Sequence, residues 1–161
     1  MAKVQKITPF LWFDNNAEEA VKFYISIFDN SKIGHVMRNG DGGPDPKGQV
    51  MVMSFELEGQ HFSALNGGPI YKFTEAISFL VLCDDQKEVD RLWSKLTADG
   101  GKEVQCGWLK DKYGLSWQIV PKVFMEMVSD KDPAKVGRVM AARMQMVKFD
   151  IKKLKAAYDG R

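Results

Sequence analysis

Cysteine and histidine are scarce in this chain: its 161 residues hold two of each. Cys83 and Cys106 form no C-x-x-C pair and join no Cys/His cluster. Both are predicted to be buried free thiols of a reducing cytoplasm rather than partners in a disulfide. A dominant charge of one sign is missing too. Lys and Arg number 23 against 21 Asp and Glu, a scattered net charge of +2 that argues against a phosphate-backbone binder, so no nucleic-acid partner is expected. A modest excess of Lys and Arg after residue 130 reads as the wet face of terminal helices. No apolar run approaches the ~20 residues that span a bilayer. The opening MAKVQKITPF lacks the apolar stretch of a signal peptide, so a cytoplasmic location without a membrane partner is expected.

What is present is the balance of an ordinary globular protein, 45% hydrophobic and 27% charged, long enough for one domain or two small tandem modules. The apolar, aromatic segment Ile7–Phe13 runs into Asp14-Asn15-Asn16, a strand leading to a helix start. AEEAVKFYISIF then places Ala17, Ala20, Val21, Tyr24 and Phe28 at helical spacing. Strand-like runs follow at about 32–38, 49–58 and 60–66, with a tight hairpin at Glu58-Gly59 between the last two. NGDGGPDPKG, between the first two, is too rich in Gly and Pro to be regular and reads as a flap over a cavity mouth.

The pattern then restarts. AISFLVLCDD is a strand running into a helix start at Asp84-Asp85, and QKEVDRLWSKLTADGG buries Val89, Leu92, Trp93 and Leu96 before stopping at Gly100-Gly101. KEVQCGWL (102–109), the turn KDKYG and LSWQIV complete a hairpin. Leu11 aligns with Leu80, Phe13 with Leu82, Glu19 with Glu88 and Tyr24 with Trp93, all at one offset without a gap. Continuity from strand through turn into helix marks a βαβββ repeat, although the second copy shows fewer strands. In the tail, Asp132-Pro133 opens a helix whose buried side is predicted to be Val136, Met140, Met144 and Val147, and Asp150 caps a last short helix.

NAEEAVKFY, LNGGP, AISFLVLCDD, CGWLKDKYGLSWQIVP and the terminal DPAKVGRVM…KFDIKKL resemble one family over nearly the whole chain. It is the PhnB-like group of the vicinal oxygen chelate (VOC) superfamily, many of whose members carry the name 3-demethylubiquinone-9 3-methyltransferase. The resemblance implies an α+β fold of paired βαβββ modules, as in glyoxalase, bleomycin-resistance proteins and dihydroxybiphenyl dioxygenase, with C-terminal helices added. It implies a single VOC-like domain over 1–128, with modules at about 1–70 and 71–120, a helical extension over 129–161, and a homodimer. Superfamily enzymes present His or Glu to a divalent metal from four sheet positions. Carried over through the strand–helix register, those positions fall on Pro9, the 60–66 strand, Ser78 and Gln118.

Proline has no ligating side chain, serine is a poor ligand, a glutamine amide is a weak neutral donor, and QHFSALN offers only His61. A working site needs about three good protein ligands, so neither metal nor other cofactor is expected. What remains is a neutral pocket, lined on this reading by Pro9, Leu11, Phe13, His61, Ser78, Leu80, Gln105 and Gln118. If the hairpin turns at KDKYG with a four-residue loop, Gln105 pairs with Gln118 and Ser116 with Gly107. Cys106, Trp108, Leu115 and Trp117 then face the helices, and a one-residue slip would exchange the two sets. His61 is more simply a structural hydrogen-bonder than a base, and Cys106 has no base placed to activate it. The methyltransferase name sits poorly with the turns DNNAEE and CDDQKE, which lack the glycines that cradle S-adenosylmethionine.

The expected function is that of a small-molecule-binding protein of the PhnB-like VOC group without the usual metal site. The alternative is an enzyme, either a metal-dependent isomerase, lyase or dioxygenase, or the named methyltransferase.

Overall fold

The computed structural model describes residues 5–161, and the chain divides into two compact units, Met1–Lys72 and Phe73–Arg161. In the first, β1 (Phe10–Phe13) leads to α1 (Ala17–Ile27), then β2 (Ser31–Arg38), β3 (Val50–Leu57) and β4 (Gln60–Asn66). The sheet order is β1-β4-β3-β2, with β1 parallel to β4 and the other pairs antiparallel. Glu58 and Gly59 both take positive φ, 48° and 79°, the twist a two-residue hairpin requires. Ala17, Ala20, Val21 and Tyr24 are buried beneath α1, as their spacing predicts; Ile27 joins them, and Phe28, assigned to the stripe, is buried as the residue that ends the helix. Tyr24 stacks on Phe55 of β3, which stacks on Phe62 of β4, so this row fixes which sheet face the helix covers.

The first turn of α1 has no cap of its own. Asn66, at the far end of β4, accepts the Ala17 N–H at 2.9 Å and donates to the Val50 carbonyl, also at 2.9 Å. Gly67 beside it must stay small, because a Cβ there would lie 2.2 Å from the Trp12 ring. These two demands account physically for the LNGGP segment.

The second unit repeats the plan with β5 (Ser78–Cys83), α2 (Gln86–Thr97), β6 (Lys102–Glu103), β7 (Trp108–Lys110) and β8 (Ser116–Pro121). Its order, β5-β8-β7-β6, mirrors that of the first sheet, so the second copy has four strands after all. Asp85 accepts the Glu88 N–H at 2.8 Å while the Glu88 carboxylate accepts the Asp84 N–H, a reciprocal cap for α2. Val89, Leu92, Trp93 and Leu96 are buried as expected. Three helices follow: α3 (Lys122–Val128), α4 (Pro133–Met144) and α5 (Ile151–Asp159).

Two expectations need correction here. The run 102–109 is not one strand, because Cys106 and Gly107 take left-handed φ of 61° and 83° and split it into β6, a turn and β7. Cys106 therefore lies in a turn, half-buried, whereas Cys83 is buried in β5 as predicted. The stripe assigned to α4 is also rotated. Val139 is its buried residue, and Met140 and Met144 are 37% and 60% exposed. Apolar residues stand on both sides of this Ala/Gly-rich helix, so periodicity alone selects the wrong one.

Candidate functional site

Alternation along β8 sends Trp117 and Ile119 into the closed interior and Ser116, Gln118 and Val120 to the other face. The neighbours of β8 follow suit. Leu80 of β5 and Trp108 of β7 flank Gln118, and Ser78 and Lys110 flank Ser116. This second face is the open one, with Leu80 and Leu82 47% and 45% exposed. Gln118 donates from Nε2 to Ser78 Oγ at 2.9 Å. Lys110 is engaged by the Glu75 carboxylate. Ser116 is only 1% exposed, and its Oγ has no hydrogen-bond partner among the described residues.

Of the predicted residues, Ser78, Leu80 and Gln118 are thus brought together on one open face. Gln105 is not among them. Trp108, not Gln105, stands opposite Gln118, and Lys110, not Gly107, stands opposite Ser116. Gln105 lies exposed in the turn before β7. The reason is the longer loop, Asp111–Leu115, which shifts the register and turns the Trp108 indole toward the Gln118 side.

Asp111 sets that loop and escaped the sequence reading. Buried at 3% exposure, its carboxylate accepts the Tyr113 and Leu115 N–H groups at 2.9 and 3.1 Å and the Trp117 indole N–H at 2.9 Å. An Asp opening a turn that closes on Gly114 is the signal that could have found it. The segment after α4 fixes the other end of β7. Cys106 and Gly107 donate their N–H groups to the Met146 and Val147 carbonyls, each at 2.8 Å, and Gly107 accepts from Ile119 N at 2.8 Å. A Cβ on Gly107 would meet the Phe149 ring at 2.3 Å.

In the first unit, Leu11 and Phe13 are misassigned by the sequence reading. Leu11 pairs with Ala64, which pairs with Met53, on the face that Phe55 shares with α1. Leu11 and Phe13 are therefore helix-side core, 6% and 3% exposed, and Pro9 precedes β1 in the same alternation. Four successive apolar residues, FLWF, carry no parity of their own; only pairing with β4 decides it. Phe10 and Trp12 take the opposite face, together with His61, Ser63 and Leu65. Trp12 donates its indole N–H to the Gly68 carbonyl at 2.9 Å and meets Tyr71 edge-on at 5.0 Å. His61 is exposed and its Nδ1 lies 3.5 Å from the Glu56 carboxylate, a structural pairing.

Neither face carries equipment for a divalent ion. Among the described residues no group of three or more His, Cys, Asp or Glu is placed to hold a metal. Gln118 and Ser78 are neutral and already bonded to each other. The donor set does not fit the superfamily's metal. Nor is Cys83 a nucleophile, since burial pushes its thiol up to about 12. A surface concavity of about 550 Å³ lies elsewhere in the second unit, along α5 between Gln86 and Lys155, and no predicted site residue lines it.

Two four-stranded sheets of matched order, each with a helix on one face, are the architecture of vicinal oxygen chelate proteins. The model of the 3-demethylubiquinone-9 3-methyltransferase family matches residues 5–120, and the chain belongs to that PhnB-like family. A Bacillus cereus structure bearing the same methyltransferase name and called a PhnB protein is 39% identical with a TM-score of 0.68, covering 73% of this chain and 99% of its own. A Pseudomonas aeruginosa structure is 21% identical with a TM-score of 0.61, covering 73% and 98%. A fosfomycin resistance protein from Listeria monocytogenes is 14% identical with a TM-score of 0.50, covering 74% and 93%, and shares the fold alone. No curated protein matches the chain. No helix among the described residues is long and apolar enough to cross a membrane.

Proposed function

We propose that this PhnB-like protein binds a small organic molecule on the open face of its second sheet, through hydrogen bonds and apolar contact rather than through a metal. The observation that carries the reading is the Gln118–Ser78 hydrogen bond, set between the half-buried Trp108 and the exposed Leu80. A few convergent polar groups on an apolar floor suit a small-molecule site. The pocket membership of Ser78, Leu80 and Gln118 belongs to this proposal, with Trp108 and Ser116 added and His61 left as a candidate on the first unit. The family's methyltransferase name finds no support in the turns after β1 and β5, which offer no glycine near a helix N-terminus.

Two further elements complete the proposal. The protein works as a homodimer, which would cover the large apolar side chains exposed at Ile7, Ile70, Tyr71 and Ile77. It resides in the cytoplasm, where the free thiols of Cys83 and Cys106 stay reduced. The test is a thermal-shift screen of the purified full chain against neutral and ionic fragments, with elemental analysis alongside. Stabilisation by organic fragments that Gln118→Leu removes is the expected result. A stoichiometric, tightly held divalent ion would overturn the reading.

A further inference from the structure

Charge is sorted between the two faces of the second sheet. Ser78 stands beside Ser116, Ser116 opposite Lys110, and Lys110 opposite Lys102, so these four form one row across the open face. The acids next to the two lysines turn the other way. Glu103 accepts the indole N–H of Trp93, a buried residue of α2, and Asp111 accepts that of Trp117 in the closed interior. At the far end of the open face, Asp84 and Lys122 pair with each other. Within the row, Lys110 is engaged by Glu75 from the segment before β5, while Lys102 is exposed and makes no ion pair among the described residues. The row thus holds two cations against one acid. The next row is largely apolar. Val104, Trp108, Gln118 and Leu80 follow two residues further along their strands, about 7 Å from the first.

We infer that this open face takes an aromatic monocarboxylate, held at its carboxylate by Lys102 and Lys110 and at its ring by Trp108 and Leu80. The inference rests on the proposed small-molecule function and names that site's ligand class. Two rows one ring's length apart, cationic and apolar, match the two ends of such an acid. Glu75 is the chain's own stand-in for the ligand head. A hydrogen bond from Lys110 holds the Glu75 carboxyl below its ordinary range, so this cation already favours an ionised carboxylate. Ser116 supplies independent support. Its hydroxyl is buried and unpartnered in the middle of the row, between Ser78 and Lys110. A group of that kind calls for an explanation. A carboxylate oxygen entering beside Lys110 accepts its O–H. A carboxamide of the same shape lacks the charge, and an amidinium brings the wrong sign.

The experiment titrates the full-length protein with benzoate, benzamide and benzamidine, following the Trp108 indole and Gln118 side-chain amide signals by NMR. Benzoate should bind about tenfold more tightly than benzamide. Benzamidine should bind most weakly, and the preference for benzoate should shrink as salt rises. The double variant Lys102→Met, Lys110→Met should erase that preference. Glu75→Gln, which frees Lys110, should tighten benzoate several-fold. Ser116→Ala should weaken benzoate and leave benzamide unchanged. Equal binding of benzoate and benzamide, or a preference that survives loss of both lysines, would overturn the carboxylate reading while the binding face stands. If no probe and no member of the fragment set moves the signals, the binding face itself is wrong, and the inference falls with it.

Discussion

The Asp111 carboxylate accepts the indole N–H of Trp117 at 2.9 Å in the closed interior of the second unit, and the same carboxylate closes the loop from β7 to β8. One buried acid thereby fixes the register that puts Trp108 opposite Gln118. Asp111→Ala should lower stability by about 3 kcal/mol, since it strands three donors in the interior. Urea unfolding followed by tryptophan fluorescence measures this. A loss under ~1 kcal/mol would show that the loop holds its shape without the carboxylate.

Gly107 combines a left-handed backbone with a neighbour that leaves no room for a side chain. Gly107→Ala should cost about 2 kcal/mol or more from strain and clash together. Phe149→Ala should cost about 3–5 kcal/mol, because the ring is buried and packs on Phe124 at 4.9 Å. In the double variant the clash has already been relieved, so the two losses should sum to less than their separate values. Strict additivity in a double-mutant cycle would contradict the contact.

Glu18 ties α1 to β2 through two hydrogen bonds from Arg38, each 3.0 Å long. Hydrogen bonds from Arg38 first, and then from Lys22, lower its carboxyl from the usual 4.5 to about 2. A depressed carboxyl stabilises the folded state above its unfolded pKa and loses that contribution as pH falls through the folded value. Wild-type stability should therefore fall more steeply than that of Glu18→Gln between about pH 4.5 and 2. Parallel curves across this window would remove the pair from the list of stabilising contacts.

The thiols should separate by reactivity. Cys83 is fully buried with its thiol raised to about 12, whereas Cys106 is half-buried in a turn. Iodoacetamide applied to the native protein at pH 8 should modify Cys106 and spare Cys83, as peptide mass spectrometry would report. Equal labelling at both would mean that β5 opens readily.

The repeat and both early helices were legible in the sequence because the helical period is strong in each, and in α2 a local cap agrees with it. The Asp85–Glu88 cap and the α2 stripe are local facts, settled within one turn of helix. Face assignment was not local. Whether Leu11 or Trp12 joins the core depends on β4, more than fifty residues away in sequence, and FLWF gives no alternation to anticipate it. Ser78 and Gln118 were placed by the family's strand–helix register rather than by alternation, since Phe79-Leu80-Val81-Leu82 gives none, and the parallel pairing of β5 with β8 sets them and Leu80 side by side. Gln105 was misplaced because its strand breaks at Cys106-Gly107, and only the hydrogen bonds to Met146 and Val147 reveal why. The α4 stripe failed for a related reason: Val139 is chosen by what packs on it, not by its spacing.

Those last hydrogen bonds also bear on synthesis. The turn before β7 leans on carbonyls about forty residues further along, so a ribosome must finish nearly the whole polypeptide before Trp108 can settle opposite Gln118. The strands of the first sheet pair with one another inside residues 10–66. A nascent chain arrested shortly after β8 would carry a finished first half and a second half still waiting for its brace.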